Sequence, residues 1–236
     1  MQQKPLNAAD LNARQRRNRG ISAVQQIYDA LRHRIIHFEL PPGTNIAKSD
    51  ITAEFGVSPT PVREALLRLS NEGLVDIFPQ SRTTVSLIDV QHAREVHFLR
   101  LSVEVEVVRV LADTIAREGL NELDNWIRRQ MTELEVGDET AFKIADNSFH
   151  EEMFSLAGVQ GLTRLIDARR GHYDRIRGLF LNEPRRRETV VEEHLAIITA
   201  LKVSDPAAAE AAVRGHLGKS LAIIDEIRDH HPEYFL

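Results

Sequence analysis

From Asp89 onward, almost every residue falls into runs whose apolar positions recur at helical spacing, and the interruptions between runs are short. That pattern commits the second part of the chain to helices packed on helices. The runs cover 90–117, 120–135, 139–156, 162–181, 185–203 and 206–228. Breaks are expected at Gly119, Gly137-Asp138, Gly158–Gly161, Asn182-Glu183-Pro184 and Ser204-Asp205-Pro206. Asp138 and Asp205 read as N-caps, with Pro206 at a first helical position where its missing N–H costs nothing. Six helices with short connections predict a compact antiparallel bundle.

The first part reads differently. Residues 1–20 are polar and basic, with Arg14, Arg16, Arg17 and Arg19 close together, and form an expected flexible arm. A helical pattern starts at Ile21, with Ser22 as cap and Val24, Ile27, Leu31 and Ile35 on one face, and stops at Leu40-Pro41-Pro42-Gly43. A short helix follows over 48–55, starting near Ser49 or Asp50, and Gly56 supplies the positive-φ residue of a tight turn. Ser58 caps the next helix, Pro61 sits in its first turn, and Val62, Leu66 and Leu69 form its apolar stripe. Two short extended segments, 74–78 and 83–88, are joined by Pro79-Gln80-Ser81-Arg82. Two helices, a tight turn, a third helix and a two-stranded wing make the order of a winged helix-turn-helix.

The fold class is therefore mainly α: a winged helix-turn-helix over 21–88, then an all-α bundle over 89–236. A length of 236 residues accommodates two domains. Residues 1–88 carry 11 Lys+Arg against 8 Asp+Glu, while 89–236 carry 19 against 27, so a mildly basic half precedes an acidic one. That distribution suits a chain that touches phosphates with one end only. There is no cysteine, which excludes disulfides, thiolate catalysis and Cys-ligated zinc and makes the cytoplasm the expected setting. No apolar run approaches the length needed to cross a bilayer, so no membrane association is expected.

The segment Leu40-Pro-Pro-Gly-Thr through Val57-Ser-Pro-Thr-Pro-Val-Arg-Glu-Ala-Leu66, ending in Asn71-Glu-Gly-Leu-Val75, closely resembles the GntR family of bacterial regulators. The helical remainder is similar to the FCD domain of the FadR subfamily. The resemblance implies a cytoplasmic homodimer on palindromic operator DNA, acting as a repressor whose DNA affinity is set by a small organic acid. It implies positions too. Ser58, Thr60 and Arg63 match the start of the recognition helix, Ser49 sits where the preceding helix meets a phosphate, and Gln80 and Arg82 lie in the wing. The chain departs from the common pattern at Pro59, where many members have Arg, and at Ser81-Arg82, where many have Gly at the wing tip. Physical chemistry agrees on the helix tip. A helix N-terminus offers free N–H groups and partial positive charge to a phosphate, and Arg63, one turn in, reaches guanine O6 and N7.

Asp146 and His150 are four apart on one predicted helix and share a face. His194 is flanked by Val190, Leu195 and Ile198, and His216 by Val213 and Leu217, so each falls on or beside an inward stripe. One carboxylate and three imidazoles from three helices suit a divalent ion: Zn, Ni, Mn or Fe. Hydrogen-bonded core histidines explain the same positions without any ion. Metal-binding FCD domains carry Asp-x-x-x-His followed by two later His, and the resemblance implies the metal reading. Arg100 matches the family residue that faces the ligand, where its N–H fork would hold a carboxylate; the alternative is an ion pair with Glu104 one turn away. The expected effector is then a small mono- or dicarboxylate chelating the metal, its binding transmitted through a hinge near Leu87–Val90. Three other readings stand beside this one: a structural metal with no organic effector, a regulator answering the metal itself, and a metal-dependent enzyme. The enzyme reading is the weakest, because four protein ligands leave little room for reactive water.

Overall fold

The structure is a computed structural model and describes residues 22–182, 184–222 and 224–236. The arginine-rich arm lies outside the described residues. Helix α1 (Ala23–Ile36) opens on Ser22, whose side chain accepts from the Gln25 N–H. Helix α2 (Lys48–Phe55) begins one residue ahead of Ser49, on Ala47, without a side-chain cap. Gly56 closes it in the left-handed region, with φ of 63°. Helix α3 (Pro59–Asn71) follows, and strands β1 (Val75–Ile77) and β2 (Thr83–Val85) pair antiparallel with Val75 opposite Val85. Ile27, Leu31, Ile51, Leu66, Leu69 and Val85 pack into the core of this half. The winged order read from the sequence is present, with the strands shorter than their segments.

The second half contains α4 (Val90–Thr114), α5 (Arg117–Val136), α6 (Glu139–Leu156), α7 (Gly161–Asp167), α8 (Gly171–Phe180), α9 (Pro184–Lys202), α10 (Pro206–Ala222) and α11 (Ile224–His230). Helix α4 packs on α8 and α10, α5 on α6 and α9, and α9 on α10. Phe142, Phe149, Leu111 and Leu201 are among the side chains sealed inside. Asp138 caps α6 through the Ala141 N–H, and Asp205 accepts from the Ala208 N–H.

Three helix boundaries differ from the sequence reading. The break near Gly119 lies earlier, at Ile115, whose ψ of 125° is extended, and Gly119 sits buried inside the first turn of α5. The expected single helix over 162–181 is two helices separated by residues 168–170. The second begins at Gly171, where a Cβ would lie 2.7 Å from the Leu74 side chain. This break brings the bundle against the DNA-binding half, a tertiary demand that local pattern does not announce. The last predicted run is described as α10 and α11, with residue 223 between them outside the described residues.

The two halves meet over residues that pin the connecting segment. Arg175, with no exposed surface, donates to the Ser86 carbonyl at 2.6 Å, the Ser86 hydroxyl at 3.2 Å and the Leu87 carbonyl at 3.5 Å. Ile88 donates to the Tyr234 carbonyl at 2.8 Å and accepts from the Leu236 N–H at 3.1 Å. His172 Nδ1 accepts from both the Asp89 N–H at 3.0 Å and Arg175 Nη2 at 2.9 Å, so that nitrogen carries no proton. Gly73, at φ of +71°, lets the backbone approach this ring so closely that a Cβ would stand 2.6 Å from Nε2.

Burial, reinforced by Arg175, lowers the His172 pKa from 6.5 to about 3. Unfolded chains take up this proton near pH 6.5, while the folded protein resists it. The joint therefore contributes stability above pH 6.5 that is lost as pH falls toward about 3, at ~1.4 kcal/mol per pH unit. Urea unfolding as a function of pH should show a slope for His172→Gln smaller by one proton than that of the wild type between pH 6 and 4. An identical slope would remove His172 from the acid sensitivity of the joint.

Candidate functional site

Four of the residues singled out in the sequence gather in the bundle. Helix α6 contributes Asp146 and His150, one turn apart; α9 contributes His194 and α10 contributes His216. All four side chains are buried. His216 Nε2 lies 3.2 Å from His194 Nε2 and 3.2 Å from His150 Nε2. Ligating atoms of the three imidazoles all lie within 4.8 Å of one another. Asp146 Oδ1 stands just outside this set, 3.8 Å from His194 Nε2.

The other ring nitrogens explain this orientation. His150 Nδ1 is 2.7 Å from Glu104 Oε2, His194 Nδ1 is 2.8 Å from Gln130 Oε1, and His216 Nδ1 is 2.8 Å from Glu193 Oε2. Each acceptor draws the ring proton to Nδ1 and leaves an Nε2 lone pair facing inward. Phe149 stacks on His194 at 4.2 Å between centroids and holds that ring in place. Burial keeps all three imidazoles neutral by lowering their pKa values. For His150 the next cause is Arg100, and for His194 it is His216. His216 falls to about 3, with Arg177 as its second cause.

Burial alone would raise the Asp146 pKa, but Arg177 and the surrounding rings hold its carboxyl well below the ordinary carboxylate value. Arg177 Nη2 donates to Asp146 Oδ1 at 2.7 Å. Although the same nitrogen is 2.6 Å from Oδ2, that oxygen receives no well-directed hydrogen bond. A buried cluster thus holds three converging lone pairs and one incompletely satisfied carboxylate oxygen. Neutral donors pointed at one another repel, and a divalent cation relieves that repulsion, so the donor set fits a metal of the zinc class.

Arg100 is buried on α4, where Nε meets Glu104 Oε1 at 2.5 Å and Nη1 is 3.5 Å from the Tyr173 hydroxyl. Its carboxylate partner is therefore intramolecular, and through Glu104 it steadies His150. Glu104 was visible in the sequence only as that partner. Gln130 could have been found as a polar residue on the buried stripe of α5, three positions after Ile127. No spacing signal marks Glu193 or Arg177.

The residues that the sequence assigned to DNA divide between two surfaces. Ser58, Thr60 and Arg63 are exposed at the start of α3. Ser58 holds the N-cap position without a side-chain capping bond, which leaves its hydroxyl available. No ion pair engages Arg63 among the described residues. Ser49, Gln80 and Arg82 line one open cleft between the start of α2 and the wing, together with Lys48, which the sequence reading passed over. Gln80 takes the left-handed conformation at the wing tip, with φ of 53°, and the Arg82 guanidinium lies 5.0 Å over the Phe78 ring.

Comparison with known proteins bears on both halves. Residues 23–85 match the gntR family of bacterial regulatory proteins, and residues 95–219 match the FCD domain. An uncharacterized HTH-type transcriptional regulator from an unstable DNA locus of Streptomyces ambofaciens is 34% identical over 89% of this chain and 89% of its own. The HTH-type transcriptional repressor RspR of Escherichia coli K12 is 30% identical over 89% of this chain and 92% of its own. The solved structure of E. coli McbR/YncC superposes with a TM-score of 0.71 at 22% identity, covering 87% of this chain and 98% of that one. With a recognition helix and wing in front and an FCD bundle behind, this chain belongs to the GntR family of DNA-binding transcription regulators, a family of regulators and not of enzymes.

Proposed function

We propose that this regulator is a cytoplasmic homodimeric repressor whose affinity for a palindromic operator is set by a small organic acid acting at a divalent-metal centre. The observation that carries the proposal is the convergence of three Nε2 atoms whose opposite nitrogens are each already engaged. His150, His194 and His216 would hold the ion, with Asp146 as the fourth donor. When bound, the ion supplies two positive charges to a site whose only formal anion among these four residues is Asp146. Glu104, Gln130 and Glu193 orient the rings, and Arg100 fixes Glu104. Support for the repressor sense comes from the E. coli relative RspR, a transcriptional repressor.

On the DNA side, Ser58, Thr60 and Ser49 would contact phosphates, Arg63 a base edge, and Gln80 and Arg82 the flanking groove. Two such surfaces must stand about one helical turn of DNA apart to fill a palindrome. A second copy has an apolar face to use: Leu99 and Val110 on α4, eleven residues apart and therefore nearly in line, remain 40% and 38% exposed. An acid can shift operator binding only through unequal affinity for the two arrangements of the winged halves.

Two measurements test the proposal. Arg63→Ala should cost about 1–3 kcal/mol, roughly 5–150-fold, on an operator selected with the wild type, with little loss on random duplex of equal length. Equal losses on both would end the base-reading role. Purified protein should carry close to one divalent ion by elemental analysis. Restoring Zn²⁺ to chelator-treated protein at 100 times its Kd should raise Tm by about 5–10 °C. His194→Gln should abolish both the bound ion and the shift. A wild type that neither retains nor takes up any of the four metals would refute the metal centre.

A further inference from the structure

Helix α3 buries one face and leaves the other bare. Val62, Ala65, Leu66 and Leu69 pack into the core of the winged half. At about 100° per residue, Thr60 and Leu67 stand almost opposite that stripe, with Arg63 and Glu64 to either side. All four are exposed. Their spacing of i, i+3, i+4 and i+7 is the one by which a helix lying in the major groove addresses successive bases. Three of the four are polar or charged. Leu67 is not, and it keeps 46% of its surface exposed while Leu66 beside it is fully buried.

A lone exposed leucine is ordinary on a protein surface, but this one lies one turn beyond Arg63 on the face proposed above to meet DNA. The neighbouring cation is turned aside: Arg68 Nη1 donates to Gln25 Oε1 on α1 at 3.1 Å. The second turn of this face therefore presents an aliphatic group in place of a hydrogen-bond donor.

Resting on base reading by Arg63, we infer that Leu67 is a second specificity-determining residue, which selects thymine by packing on its 5-methyl group in the major groove. Base edges there differ in kind: guanine shows two acceptors, cytosine a donor, adenine an acceptor and a donor, and thymine an acceptor and a methyl. Only thymine meets carbon with carbon. An isobutyl group laid over any other edge strips water from polar atoms and returns no hydrogen bond. Four residues of helix rise about 6 Å, close to two base-pair steps of about 3.4 Å. The thymine therefore lies, on either strand, within about two base pairs of the guanine that Arg63 takes. One polar and one apolar contact from a single helix face then define the centre of each half-site.

The test begins with an operator selected from random duplexes by the full wild-type chain. Each thymine is then replaced singly by deoxyuridine, which removes the 5-methyl and keeps the base pair, and binding is read by fluorescence anisotropy. The guanine is located as the base whose preference Arg63→Ala relaxes. One thymine within about two base pairs of it should lose about fourfold in affinity on replacement, the worth of burying one methyl group. Leu67→Ala should bind the unmodified operator more weakly by a similar factor and no longer distinguish thymine from deoxyuridine there. Its salt dependence should equal that of the wild type, because no phosphate contact is lost. Leu67→Gln, also a good helix former, should lose the same discrimination and covers a failure of Leu67→Ala to fold. The assignment is overturned by the absence of a methyl-dependent thymine in that window, by methyl dependence that persists in both variants, or by a shallower salt slope in Leu67→Ala. A dimerisation defect in Leu67→Ala with methyl discrimination intact would overturn it too, by giving Leu67 to a second copy of the chain. Equal losses of Arg63→Ala on operator and random duplex would instead overturn the base reading on which it rests.

Discussion

Three imidazole nitrogens aimed at one point inside a helical bundle are the constraint around which the FCD half is organised. Each ring is held from behind by a different helix: Glu104 on α4, Gln130 on α5 and Glu193 on α9. Buried polar groups of this kind are costly unless partnered, and the groups behind the rings are themselves held in turn. Arg100 serves Glu104, Lys219 serves Glu193, and Arg177 serves Asp146. Helices α4, α5, α6, α8, α9 and α10 are thereby tied to one centre, and their packing angles cannot drift independently.

How legible this was in the sequence depended on the range of the interaction. Caps and turns are local, and Ser22, Gly56, Asp138 and Asp205 could be read because the helix end and its satisfying group lie within four residues. That Asp146, His150, His194 and His216 would gather was legible for a related reason: Asp146 and His150 share a face by spacing, and the two later histidines sit among apolar neighbours. What holds their rings was legible only in part: Gln130 stands out as a polar residue on a buried stripe, but its partner, and Glu193 altogether, emerge only when distant helices meet. Arg100 shows the boundary. The ion pair with Glu104 is local and was the alternative reading beside a ligand role; that both side chains are buried, with Glu104 turned to His150, appears only once α4 meets the bundle.

Fold errors follow the same logic. The apolar period from 162 to 181 is continuous, yet residues 168–170 turn so that Gly171 can meet Leu74. The long helix α4 also buries a less simple face than its apolar pattern predicts: Arg100 and Glu104 are inside, while Leu99 and Val110 are partly exposed. A charged pair displaced part of the hydrophobic stripe because the network behind His150 required it.

Arg175 has a consequence for the modularity usually assumed of two-part regulators. Its guanidinium is wholly buried with no carboxylate in ion-pair contact among the described residues, and its acceptors include the carbonyls of Ser86 and Leu87, just past the wing. A recombinant swap that joins a foreign winged domain immediately after β2 keeps those carbonyls, because backbone is indifferent to sequence. It replaces Gly73, however, and any side chain there strikes His172 and displaces the proton-free nitrogen that also engages Arg175. The unit of exchange is therefore the winged domain plus residues 172–175, two segments about a hundred positions apart that behave as one joint.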